Sequence, residues 1–92
     1  MNTAAFESQL RQDGFLDIET RSLKPDLCVP VHSHPFEVRA LVLSGELTLG
    51  IDGRQQTWRA GDTFTMPAHC EHSELYGPQG VTYLVGRKHP PA

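Results

Sequence analysis

From Leu16 onward, glycine and proline cut the chain into short runs of alternating apolar and polar residues, and this punctuation limits the fold more than any other feature. The clearest run is Arg39–Trp58, in which Leu47, Leu49 and Ile51 alternate with polar or small residues up to Asp52-Gly53. That dipeptide suits a two-residue hairpin turn, because both of its positions require positive φ. Short strands are also expected at Thr63–Met66, Ser73–Tyr76 and Val81–Arg87, bounded by Gly61, Pro67, Gly77, Pro78 and Gly80. Upstream, Leu16, Ile18 and Thr20 alternate with Asp17, Glu19 and Arg21, and Leu27–His34 is a further extended run in which Pro30 marks an edge or a bend. Many short strands of this kind close into an antiparallel sandwich or barrel.

Only the start of the chain reads as helix. Ala4–Asp13 places Phe6 and Leu10 on one face, with Asn2 or Thr3 as cap and Gly14 as the stop. The expected organisation is one all-β domain over residues 1–92: a helix in 1–14, a small antiparallel barrel in 15–88 and a frayed tail in 89–92. Chains of this length hold one core and one site. The 38% aliphatic and aromatic content suffices for that core, and 21% charged residues is ordinary for a folded domain.

Charge and patterning exclude several functions. A net charge of −3, eight Lys and Arg in all and no basic run argue against nucleic-acid partners. No apolar stretch approaches the roughly 20 residues of a membrane span, and MNTAAFESQL lacks the pattern of a signal peptide. A cytoplasmic protein with no membrane partner is expected. Cys28 and Cys70 are too few for a disulfide framework and fit a reducing compartment.

Four of the five histidines fall in two clusters, His32-Ser33-His34 and His69-Cys70-Glu71-His72. Residues two apart in a strand share a face about 6.6 Å apart along the chain, so His32 and His34 can reach one ion. Imidazole is the commonest transition-metal ligand, and His72 from a neighbouring strand would complete a three-histidine set with open positions. The competing reading is a polar strand end and a loop histidine with no metal.

The motifs around these histidines resemble those of the cupin superfamily. Its first motif is Gly, five residues, His-x-His, three or four residues, Glu, six residues, Gly; His32, His34 and Gly45 match, with Asp26 in the first glycine position. Its second is Gly, five residues, Pro-x-Gly, two residues, His, three residues, Asn; Gly61, Pro67 and His72 match, with His69 for the glycine and Tyr76 for the asparagine. The resemblance spans residues 26–76 and implies a jelly-roll barrel holding one divalent transition metal ion (Fe, Mn, Ni, Co or Zn) on His32, His34 and His72. Counted back from Gly45, the family's glutamate position holds Val38, and Glu37 lies one residue early. A one-residue shift turns a strand side chain to the opposite face, so Glu37 becomes a ligand only if Pro35-Phe36 bulges. Three histidines and water are otherwise expected.

His69 stands where the family uses glycine for a left-handed backbone, a region that histidine tolerates better than most residues. Cys28 shares strand parity with His32 and His34 and could point inward. Free cysteines are usually small hydrophobes, so neither thiol is assigned a role. The resemblance implies a metal-dependent enzyme of oxygenase, isomerase or decarboxylase type acting on a small molecule; the alternatives are a non-catalytic ligand or metal sensor and a metal-free structural cupin. A homodimer is expected, since so small a barrel buries a limited share of its surface.

Overall fold

The computed structural model describes residues 1–91 as one helix followed by six strands: α1 (Thr3–Gln12), β1 (Asp17–Leu23), β2 (Cys28–His32), β3 (Glu37–Ile51), β4 (Arg54–Arg59), β5 (Thr63–Met66) and β6 (His72–Lys88). The hairpin forms at Asp52-Gly53, with φ of 53° and 75°, and it pairs Ile51 with Arg54. Ser73–Tyr76 and Val81–Arg87, expected as separate strands, are two parts of one long β6. Gly77, Pro78 and Gly80 do not end the strand; they form a bulge that faces β3 around Glu46.

β3 and β6 pair antiparallel along nearly their whole length and carry all the other strands. The C-terminal part of β6 and the N-terminal part of β3 are flanked by β1 and β5. The N-terminal part of β6 and the C-terminal part of β3 are flanked by β2 and β4. The two halves face each other as a jelly roll of antiparallel strands.

Each long strand changes parity once, where the sheet bends. In β3 the core-facing residues are Val38, Ala40 and Val42, then Leu47 and Leu49. In β6 they are Tyr76, then Val81, Tyr83 and Val85. An even-to-odd switch needs an irregular stretch, and the ladder shifts register on either side of Ser44-Gly45. At this crossing Gly45 has φ of 72°, and a Cβ there would lie 2.1 Å from the Gly80 carbonyl oxygen.

The helix forms as its caps suggest. Asn2 Oδ1 accepts from Ala5 N at 2.9 Å, and Gly14 turns the chain with φ of 87°. Leu10 is fully buried and, with Phe15, packs over the bare backbone of Gly86. Arg39 of β3 pairs with Asp13 and covers the Phe15 ring, fixing the helix end on the sheet. Among the described residues no helix is long and apolar enough to cross a membrane.

The crossing yields a stability prediction. Gly45→Ala must strain a positive φ and also push two backbones apart, whereas Gly53, with φ of 75°, has open space around it. Gly53→Ala should cost about 1–2 kcal/mol from φ alone. Gly45→Ala should cost at least about twice as much by urea denaturation, and equal losses would show that the two strands do not touch there.

Candidate metal centre

The two histidine clusters meet because of strand pairing. His32, the last residue of β2, lies opposite His72, the first residue of β6, so their side chains emerge on the same side. His34 follows in the connection to β3, where the backbone keeps its alternation: His32, His34, Phe36 and Val38 all line one cavity. His69 N donates to His34 O at 2.7 Å and ties the second cluster to the first. Asp26 and His69, which replace the two motif glycines, keep the left-handed backbone with φ of 57° and 64°. The Phe36 ring stacks on His34 at 4.9 Å.

The ring centroids of His32 and His72 are 4.3 Å apart, those of His32 and His34 4.9 Å, and one ligand nitrogen from each of the three falls within 4.8 Å of the others. Hydrogen bonds fix the tautomers of two rings. His32 Nδ1 lies 2.8 Å from Pro30 O and His72 Nδ1 lies 2.9 Å from Cys70 O. A carbonyl oxygen only accepts, so each Nδ1 carries a proton, and in the neutral ring each Nε2 keeps its lone pair. Metal-binding histidines are usually oriented by this kind of contact. His72 is 2% exposed, and its Nε2 is buried without a hydrogen-bond partner. Burial lowers the His34 pKa, and the charges that His32 and His72 would carry lower it further. The neutral, metal-binding form is thereby favoured. The donor set fits a divalent transition metal.

A carboxylate absent from the sequence reading stands beside these rings. Glu74 Oε2 is 3.1 Å from His32 Nε2 and 3.7 Å from His72 Nε2, and the Tyr76 hydroxyl donates to Oε1 at 3.3 Å. His72, Glu74 and Tyr76 alternate on one face of β6, so period two from His72 was the signal that could have found it. The cavity, of about 240 Å³, is otherwise walled by apolar side chains such as Val38, Phe64 and Met66, with Arg21 and Arg87 also lining it. Arg87 is already matched by Glu19 at 2.8 Å and Asp17 at 3.6 Å. Burial, with Glu74 nearby, raises the pKa of Tyr76, and burial likewise raises that of Tyr83, so both phenols keep their protons.

Other sequence candidates lie elsewhere. Glu37 is exposed, pairs across the ladder with Lys88 and borders a separate surface depression, while its neighbour Val38 faces the histidines. The strand is regular at this point, so the one-residue offset sends Glu37 to the opposite face. Cys28 does not share the inward side. A register shift between Val29 and His32, at Pro30, turns Val29 inward opposite Glu74 and leaves Cys28 exposed opposite Leu75. His69 is an exposed loop residue, and Cys70 is half-buried against the core.

Comparison with known proteins agrees with this fold. A conserved protein of Streptococcus pyogenes is 29% identical with a TM-score of 0.70, over 82% of this chain and 65% of that one. An RmlC-like cupin of Shewanella frigidimarina is 23% identical with a TM-score of 0.64, over 76% and 63%. The polyketide cyclase RemF of Streptomyces resistomycificus is 25% identical with a TM-score of 0.67, over 80% and 56%. This chain thus spans less than two thirds of each of these proteins. No curated protein matches it. The family model described as "Cupin domain" matches residues 21–74, more than half the sequence, and the chain belongs to that family.

Proposed function

We propose that His32, His34 and His72 hold one divalent transition metal ion at the base of the cavity, and that the protein is a metal-dependent enzyme acting on a small molecule. One observation carries this reading: the Nε2 atoms of His32 and His72, which bear the lone pair in the neutral rings because Nδ1 holds the proton, converge beside a carboxylate in a largely apolar pocket. Lone pairs facing a carboxylate repel one another unless a cation lies among them. A bound ion would supply Lewis-acid activation of a substrate oxygen or of water.

The chain's own residues define what could join it. A space of about 240 Å³ lies below the range of drug-sized sites, so a substrate of few heavy atoms fits. Phe36, Val38 and Met66 exclude water from one side, while Tyr83 and Arg21 offer hydrogen-bond donors on another. Two similar structures belong to enzymes, the polyketide cyclase above and the DMSP lyase DddQ of Ruegeria pomeroyi, which is 22% identical over 77% of this chain and 36% of its own with a TM-score of 0.69. They support an enzymatic use of this architecture, although a fold alone does not select a reaction.

Protein purified without a histidine tag or chelator should carry about one equivalent of a transition metal by elemental analysis. His32→Ala, His34→Ala and His72→Ala should each cut that occupancy at least about tenfold while leaving the β-rich circular dichroism intact. Unchanged metal in all three variants would refute the centre. Stoichiometric metal without turnover of any small oxygen-bearing substrate would favour a sensor over an enzyme.

The register of β3 makes a separate prediction. Glu37→Gln should alter metal affinity by less than about threefold, because the side chain faces away from the histidines, well short of the 10- to 100-fold of groups that contact ligands. Val38→Glu should tighten binding by placing a carboxylate inside the cavity. A large loss in Glu37→Gln, measured by competition with a chromogenic chelator, would mean that the start of β3 bulges.

A further inference from the structure

We infer that Glu74 is a direct ligand of the ion, so that the carboxylate this centre lacks on β3, where Val38 stands, is supplied instead by β6. The inference rests on the metal-binding reading above and adds a residue to it.

Three observations carry it. The first is spacing. Ligands that share an ion at about 2.1 Å lie about 3.0 Å apart when adjacent in an octahedron and about 3.4 Å apart in a tetrahedron. Glu74 Oε2, at 3.1 Å from His32 Nε2 and 3.7 Å from His72 Nε2, sits near those separations from both rings at once. Glu37 lies on the opposite face of β3 and borders a separate surface depression.

The second is protonation. With Nδ1 of both rings donating to Pro30 O and Cys70 O, neither neutral ring has an Nε2 proton to give the carboxylate. The contacts at 3.1 and 3.7 Å are therefore not hydrogen bonds between neutral imidazoles and Glu74. Positive charge among the three groups makes them favourable, and a metal ion would supply it to both rings at once.

The third is the way Glu74 is held. It is 13% exposed, and among the described residues its ion-pair partners are only the two imidazoles. A carboxylate this shielded is costly without a cation. Its backbone lies opposite Val29 on β2 and Leu49 on β3, so apolar side chains flank it on both sides. The Tyr76 hydroxyl takes Oε1, which leaves Oε2 as the oxygen directed at the histidines. Tyr76 is thus a positioning residue: it fixes which carboxylate oxygen faces the ion.

The test uses cobalt(II), whose visible bands report ligand type and geometry independently of any catalysis. Metal-free protein is titrated with CoCl2, with affinity measured by chelator competition. The wild type should bind about one equivalent. Glu74→Gln, which preserves shape and the contact with Tyr76, should lose more than the roughly 100-fold that bounds changes beyond the ligands themselves, and its visible bands should shift. Tyr76→Phe should lose about 10-fold or less with a smaller shift. If Glu74→Gln does not fold, Glu74→Asp, one methylene shorter, should shift the bands in the same way. Affinity within tenfold of wild type and an unaltered spectrum in the glutamate variant would overturn the assignment while leaving the three-histidine centre standing. Failure of the wild type to bind cobalt, or binding that survives His32→Ala and His72→Ala, would instead overturn the centre itself and Glu74 with it.

Discussion

The pairing of β3 with β6 is the interaction on which the rest of the structure depends. Both strands exceed the usual strand length, and each must bend and switch its inward face to serve two opposed halves of the barrel. The switch occurs at one level, where Gly45 lies against the Gly80 carbonyl and the segment from Gly77 to Gly80 bulges opposite Glu46. A side chain on Gly45 would separate the strands there. Above the crossing Val38 and Ala40 face Arg87 and Val85; below it Leu47 and Leu49 face Tyr76 and Glu74. The inward side of every other strand is set by its register against these two.

The histidine cluster is a consequence of that arrangement. β6 begins with His72, and β2 can place His32 opposite it only because the irregularity at Pro30 corrects the parity of a strand whose earlier residues would otherwise face the wrong way. The same proline supplies the carbonyl that accepts from His32 Nδ1. One irregular residue therefore both aims the ring and selects its tautomer. On the other side, Cys70, two residues before His72, does for that ring what Pro30 does for His32. The left-handed turn at His69 brings its N–H to His34 O, so the loop before β6 is anchored to the histidine pair it must meet.

Much of this was legible in the residues. The alternating run and Asp52-Gly53 specified a hairpin, the caps specified the helix, and the offsets of His32, His34 and His72 from their flanking glycines and prolines specified which rings would meet. Parity from His34 placed Val38, not Glu37, on the inner face, because counting by two along a regular strand is reliable. Counting failed where the backbone is irregular. Cys28 shares the parity of His32 and by counting could point inward, yet the register shift between Val29 and His32 turns it outward. Gly77, Pro78 and Gly80 read as a break because each disfavours a strand, whereas the long partner β3 overrides local preference and carries the ladder past the bulge. Glu74 lies outside both family motifs' ligand positions, and its signal in the sequence is its place two residues after His72.

The chemistry open to the site follows from which groups are already committed. His32 and His72 spend Nδ1 on backbone carbonyls, Arg87 is paired with Glu19, and Tyr76 spends its hydroxyl proton on Glu74. An unpaired His72 Nε2 in a buried setting costs on the order of 1–3 kcal/mol, which an apolar residue in its place would avoid, so stability does not account for it. An ion that binds the folded chain and not the unfolded one would offset that cost by linkage. Arg21 also pairs with Glu19, at 3.4 Å, which leaves Tyr83 as a lining donor not committed in this way. Burial keeps the Tyr83 phenol protonated, so it has a proton to direct into the cavity. If the proposed ion is bound, a donor of this kind facing it across apolar walls would suit a substrate whose oxygen gains negative charge during reaction. Carbonyl compounds able to form an enolate have that property, and hydrocarbons without oxygen do not.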